Sequence, residues 1–261
     1  MESDLQELAD KAVRFATDSG TQYCDIRAEH YERKEALIEN NETEYTRTSN
    51  DSGIGVRLVK DGTWSFFSIT NPDSFEQIKN SIEKAIKNST HYANNKKNKI
   101  NLHPNSHIKS KINFPVLKNP TIEELISISN ECSKIISNTS RIIKSIINPQ
   151  YTNSSKYFTN SEGSEILQNY TDVTVDMIAI AHESGITQSI NVTEGGRGGI
   201  EQIINKNKIQ NKAQEIASRA ASLIDAKPAK EDKTTVVMNP DFVSLLTHEI
   251  LGHPSEADRV M

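Results

Sequence analysis

The feature that most constrains the fold is a polar stretch from residue 88 to 113, which is rich in Asn, Lys and His. A segment of this composition cannot bury enough apolar surface to offset the conformational entropy lost on folding. On both sides of it, apolar residues recur at the spacings of helices and strands. The sequence therefore predicts two folded domains, 1–110 with a linker from about residue 88, and 111–226.

The first domain is predicted to begin and end with an amphipathic helix. Leu5, Leu8 and Ala12 recur at helical spacing near the start, and Phe75, Ile78 and Ile82 do so near the end. Between these helices, residues 23–70 form short β-branched and aromatic segments separated by turn signals such as Asp61-Gly62. The pattern predicts a helix, antiparallel strands and a second helix.

The middle domain repeats this order. A capping box of Thr121 and Glu124 opens its first helix, and a last helix is predicted near residues 209–223. Strand-like segments lie between them, at 141–151, 157–159 and 173–180. Neither domain alternates single strands with helices as a parallel sheet would, so we predict the α+β class for both.

A third pattern begins after residue 226 and is predicted to start a further domain, 227–261. Its residues 234–238 are typical of a short buried strand. Asn239 is a good N-cap and Pro240 suits the first position of a helix. The apolar stripe of this helix, expected to face a core, consists of Phe242, Leu245 and Leu246. Since the sequence stops at residue 261, we expect this domain to be incomplete.

Two histidines in this helix, His248 and His253, have the chemistry of zinc ligands. Zinc-binding helices commonly place two histidines four residues apart, on one face. A spacing of five would separate them by roughly 140° on a regular helix. Gly252 and Pro254 favour a break there, so we expect Gly252 to leave the helical conformation and the chain to turn His253 back toward His248.

Glu249 follows the first candidate ligand and is predicted to be the general base that deprotonates a metal-activated water. The alternative is that the two histidines are structural residues at a helix end. Glu256 and Asp258 could accept hydrogen bonds from the histidines as outer ligand partners, or could simply be solvated.

Three further groups are candidates of lower specificity. Gly196, Arg197 and Gly198 could form a loop where backbone approaches a peptide substrate, or a flexible turn with one arginine. His103 and His107 lie in the polar stretch and are predicted to be exposed. Cys24 and Cys132 could be offered as further zinc ligands, but we favour buried structural thiols.

The segment from His248 to Asp258 resembles the signature of the TldD/PmbA family of metallopeptidases, and Gly195 to Gly199 resemble its glycine-arginine segment. The resemblance implies that His248 and His253 bind zinc with a cysteine from late in the C-terminal domain, and that Glu249 is catalytic. That cysteine does not carry over onto this sequence, so the chain alone is expected to be inactive. The resemblance also implies unstructured peptides or unfolded proteins as substrates, and a dimer with itself or with a related subunit.

Charge and cysteine content limit the possible partners of the protein and its cellular location. The 30 basic and 35 acidic residues are interspersed, which disfavours nucleic acid as a partner. No run approaches the ~20 apolar residues that span a bilayer, so we expect no membrane association. No leader is evident and the chain has only two cysteines, so we expect a cytoplasmic location. We predict a zinc-dependent peptidase; the alternative is a non-catalytic peptide-binding or assembly module of a TldD/PmbA-type complex.

Overall fold

The computed structural model describes residues 2–103, 106–204 and 208–256. The chain divides into two compact units, a larger one of Met1–Asp225 and a smaller one of Ala226–Met261. None of the described helices is long and apolar enough to cross a bilayer.

The larger unit is built from helices and long antiparallel strands. Its helices are α1 (Glu2–Asp18), α2 (Phe75–Ala93), α3 (Ile122–Ser137), α4 (Glu201–Ile204) and α5 (Lys208–Leu223). Its strands are β1 (Tyr23–Glu39), β2 (Glu42–Lys60), β3 (Thr63–Thr70), β4 (Lys109–Asn113), β5 (Ile142–Asn160), β6 (Glu165–Glu183) and β7 (Ile186–Arg197). The predicted α+β class is confirmed.

All seven described strands belong to one sheet, in the order β3-β2-β1-β5-β6. The outer edge of β6 is shared: β4 pairs with its beginning in parallel, and β7 pairs with the rest in antiparallel register. Strand β1 lies at the centre and pairs along most of its length with both β2 and β5. Because β1 comes from the predicted first domain and β5 from the predicted middle domain, one sheet joins both.

Helices cover one face of this sheet. Cys24, Ile26 and Ala28 of β1 pack in a core with α1 and α2, whereas Ala36 and Ile38 pack in a second core with α3 and α5. These positions are separated by even numbers along one strand, so their side chains point to the same face. The opposite face therefore carries no helix from this set.

The strands after residue 140 are longer than predicted. Where short segments were expected, β5 and β6 run for 19 residues each, and β7 was not predicted at all. The centre of β5 contains Ser154 and Ser155, whose small polar side chains obscure the alternation typical of a strand. Pairing with a neighbour on each side keeps this polar stretch extended.

The predicted linker is shorter than expected. Helix α2 continues to Ala93, and β4 (Lys109–Asn113) lies inside the polar stretch, paired with β6. Between these elements, the N–H of Ile100 donates to the carbonyl of Gly62 at 2.9 Å. The boundary between the first and middle domains near residue 110 stays a prediction.

The smaller unit contains helix α6 (Pro240–Thr247), whose predicted N-cap is present: the side chain of Asn239 accepts from the N–H of Phe242 at 2.9 Å. The strand expected at 234–238 is wrong, because these residues are exposed and no described strand pairs with them. The stripe of Phe242, Leu245 and Leu246 is exposed, because the described residues of this short unit form no second apolar layer over it. Its role facing a core stays a prediction.

Limited trypsin digestion should cut first in two exposed segments without helix or strand. One holds Lys96, Lys97 and Lys99, and the other holds Lys227, Lys230 and Lys233. Lys134 in α3 and Lys212 in α5 are matched controls, because cleavage there requires unfolding a packed helix. Mass spectrometry of the earliest fragments tests the order, and a first cut within α3 would contradict it.

Candidate metal centre

Helix α6 leads into a π-helical turn, His248–Gly252, followed by a short 3₁₀ segment, His253–Ser255. The N–H of His253 donates to the carbonyl of His248, a bond that spans five residues. Such a turn is wider than an α-helical one and closes in about five residues. It therefore brings the two side chains to the same side, with ring centroids 4.5 Å apart and an interplanar angle of 78°.

The expected role of Gly252 is wrong. Its φ and ψ are −63° and −63°, and those of His253 are −60° and −42°, so both residues remain helical. The chain leaves the helix only at Glu256, where ψ is 139°. The pairing of the histidines thus comes from one extra residue in a turn and not from a break at glycine.

Three donor groups converge in this turn. The ligand atoms of His248, Glu249 and His253 all lie within 4.8 Å of one another, and the side chains are exposed. Nε2 of His253 is 3.8 Å from Oε2 of Glu249. Two imidazoles and a carboxylate are a donor set that zinc accepts, so the residues fit the predicted metal. Among the described residues, these three side chains form the group of potential metal ligands whose donor atoms lie close enough to share one ion.

Glu256 lies beside the second histidine. Its Oε1 is 2.8 Å from Nδ1 of His253. With the proton on Nδ1, the imidazole donates to this carboxylate and keeps the Nε2 lone pair for a metal. Asp258 lies outside the described residues. The roles of these residues as ligands, base and outer partners stay predictions.

The glycine-arginine segment lies mostly in a strand. Gly196 and Arg197 end β7, paired with β6, and Gly198 lies in the bend that follows. Nε of Arg197 donates to Asp172 at 3.1 Å, and its guanidinium stacks on Tyr170 with the centroid 4.1 Å away. The expected loop is therefore wrong in its conformation, because β6 supplies a pairing partner, and a role in substrate binding stays a prediction.

The cysteines behave as predicted. Cys24 and Cys132 are fully buried, and burial raises the pKa of each thiol to about 12. A thiol with so high a pKa carries almost no thiolate at neutral pH in the absence of metal, which fits a buried structural residue. His103 and His107 are exposed, also as predicted.

Two family descriptions, both of metallopeptidase domains, match this chain. The PmbA/TldA metallopeptidase domain 1 matches residues 24–89, and the PmbA/TldA metallopeptidase central domain matches residues 115–224. Together they cover two thirds of the chain. The chain belongs to the PmbA/TldD family, as the resemblance of its motifs predicted.

Curated relatives extend this similarity. A metalloprotease of Methanocaldococcus jannaschii is 31% identical over 92% of this chain and 52% of the relative. The zinc metalloprotease TldD homolog of Saccharolobus solfataricus is 24% identical over 95% of the chain and 53% of the relative. The chain thus spans about half the length of the curated relatives it matches.

Solved structures share the fold at 16% sequence identity. A candidate modulator of DNA gyrase from Bacteroides thetaiotaomicron gives a TM-score of 0.68 over 82% of this chain and 49% of its own. TldE from Thermococcus kodakarensis gives a TM-score of 0.53 over 84% of this chain and 47% of its own. At this identity, the likeness supports the fold alone.

Proposed function

We propose that this chain contributes the zinc-binding turn of a peptidase that hydrolyses unstructured peptides. The observation that carries the proposal is the convergence of His248, Glu249 and His253 within 4.8 Å in a π-helical turn. Such turns are rare and frequently lie at functional sites. Relatives named as metalloproteases, one of them as a zinc metalloprotease, support the same reading.

The residues of the turn have separate tasks. His248 and His253 would hold zinc, which when bound supplies a Lewis acid that polarises a carbonyl and lowers the pKa of water. Glu249 takes the proton from the attacking water and later delivers it to the amine that leaves. Glu256 holds the ring of His253 through Nδ1, which keeps Nε2 available as the ligand atom.

The wider setting of the proposal is supported by the resemblance to the family. The substrates are peptides or unfolded proteins, and the active assembly is a dimer of this protein with itself or with a related subunit. The proposed location is the cytoplasm. These statements concern a whole protein about twice as long as this chain, judged from its relatives.

A second candidate function is a non-catalytic peptide-binding or assembly module. It is favoured by the larger unit, whose sheet has one face free of the helices that cover the other. The two functions differ in their need for metal. A binding module would keep its peptide affinity after chelation, whereas the peptidase would lose turnover.

The 261-residue chain should bind zinc weakly. The donors that converge are two imidazoles and a carboxylate assigned to proton transfer, all exposed, which leaves the usual set of three protein ligands incomplete. Metal analysis after dialysis is expected to find well under one zinc per chain, and fewer still in His253→Ala. A full equivalent that resists chelators would contradict this and would point to a further ligand.

A further inference from the structure

The face of the sheet opposite α1, α2, α3 and α5, here called the helix-free face, has a trough over β1, β2 and the edge strand β3. Its floor is formed by Gly53 and Gly55 of β2, which pair with Glu29 and Arg27 of β1. Residues directly opposite on paired strands present their side chains on the same face, so these glycines leave a gap beside longer neighbours. The gap is a cavity of about 480 Å³. Glycine inside a strand often marks a place where another backbone approaches closely.

One wall of the trough is a fixed guanidinium. Nη1 of Arg27 donates to Asp25 at 2.7 Å, and Arg57 donates to the same carboxylate through Nε and Nη2 at 2.8 and 2.6 Å. The side chain of Asp25 is fully buried, whereas that of Arg27 is 60% exposed. The guanidinium of Arg27 also stacks on Phe158, 5.2 Å from its centroid. Arg27 is therefore held in place and retains N–H groups for a ligand.

An aromatic ring lies beside the glycine floor, next to the residues that line the cavity. Phe66 of β3 is 70% exposed. A Cβ built on Gly55 would lie 3.6 Å from Cε2 of Phe66, which shows that the ring leans over the glycine floor. An apolar side chain entering the trough would pack on this ring.

The acidic groups of the trough already have partners. Glu29 pairs with Lys156 at 3.0 Å, and Asp51 accepts a hydrogen bond from the hydroxyl of Tyr31, which raises the pKa of that tyrosine. A second cavity of about 270 Å³ lies beside the first and shares Arg27 and Glu29 with it. The combined surface thus offers both donors and acceptors, with nearly balanced charge.

We propose that this trough binds an extended, uncharged peptide segment that carries an apolar side chain. The glycine floor admits a peptide backbone, Arg27 donates to its carbonyls, the carboxylate of Glu29 accepts from its N–H groups, and the ring of Phe66, next to Gly55, packs on the side chain. The proposal rests on the proposed peptidase function and names its substrate class, extended uncharged peptides with an apolar side chain.

Charge argues for this occupant over nucleic acid. A phosphate backbone would need several uncompensated basic residues, whereas the cations Arg57 and Lys156 each have a carboxylate partner on this face.

The test is peptide binding by the 261-residue chain with zinc removed by EDTA, so that metal plays no part. The probe is a short fluorescein-labelled peptide of Ser, Gly, Asn and Thr with one Phe, followed by fluorescence anisotropy. Gly55→Val fills the floor with a residue that suits a strand, and Arg27→Gln removes the donor. Ser189→Val is the matched control, because it adds the same side chain to the helix-free face of β7, outside the trough.

We expect Gly55→Val and Arg27→Gln to weaken binding by about ten-fold or more, and Ser189→Val to leave it unchanged. The inference is overturned if the native chain does not bind the peptide, or if both trough variants bind it like the native chain. Binding of a labelled single-stranded oligonucleotide that Gly55→Val abolishes would also overturn it. No hydrolysis is expected in EDTA, so this experiment tests the trough alone, whereas the peptidase function is tested by hydrolysis and zinc content in the Glu249→Gln variant.

Discussion

Replacing Glu249 by Gln should leave zinc binding intact and reduce peptide hydrolysis by about 10²–10⁴-fold in any form of the protein that cleaves peptides. Glutamine keeps the shape of the side chain but cannot take a proton from water. The proposed ligands, His248 and His253, are untouched by the change, so the metal content should not fall. The measurement pairs zinc content with hydrolysis of an unstructured peptide on the same preparation.

The histidine variants provide the contrast. His248→Ala and His253→Ala each remove one proposed ligand and should lose both zinc and activity. Glu256→Gln is a milder control, because its amide oxygen can still accept from Nδ1 of His253, and it should retain most of both. If Glu249→Gln cleaves at the native rate, the proposed mechanism is wrong, and the turn would have to be a structural metal site or no site.

The sequence predicted that His248 and His253 of the candidate metal centre would come together, but not how. Their capacity to bind zinc could be predicted from the motif, because few types of side chain bind zinc. The predicted break of the helix at Gly252 was wrong. An α-helical and a π-helical turn differ here only in which carbonyl accepts from the N–H of His253. Composition near Gly252 and Pro254 favours a break, and nothing in it specifies the wider turn.

The fold class was predictable because helices with apolar stripes leave a strong periodic signal. The extent of the sheet was not. Strand β7 has only Ile190 and Val192 facing the core, while its other face is polar, so it reads as a loop. Likewise, Asp25 and Arg57 are 32 residues apart, and only the register of β1 on β2 brings them together.

Replacing Gly195 by Ala should destabilise the larger unit by on the order of 2–4 kcal/mol. The φ of Gly195 is +136°, a region that side chains disfavour, and an added Cβ would lie 2.1 Å from the carbonyl oxygen of Val173. Relief requires the end of β7 to move away from β6, which would disrupt the pairing of Thr174 with Gly195 and the contact of Arg197 with Asp172. Thermal unfolding should show a midpoint lowered by roughly 5–15 °C.

Gly55→Ala is the matched control for this prediction. Gly55 also lies inside a strand, but its φ is not in the left-handed region and an added Cβ makes ordinary van der Waals contacts, the nearest at 3.6 Å to the ring of Phe66. Alanine there restricts the unfolded chain without straining the fold, so the midpoint should stay or rise slightly. If Gly195→Ala has the same unfolding midpoint as Gly55→Ala and the native chain, the glycine-arginine segment is a flexible turn. A selective loss in Gly195→Ala would instead mean that close contact between β6 and β7 fixes Arg197 in its stacked position.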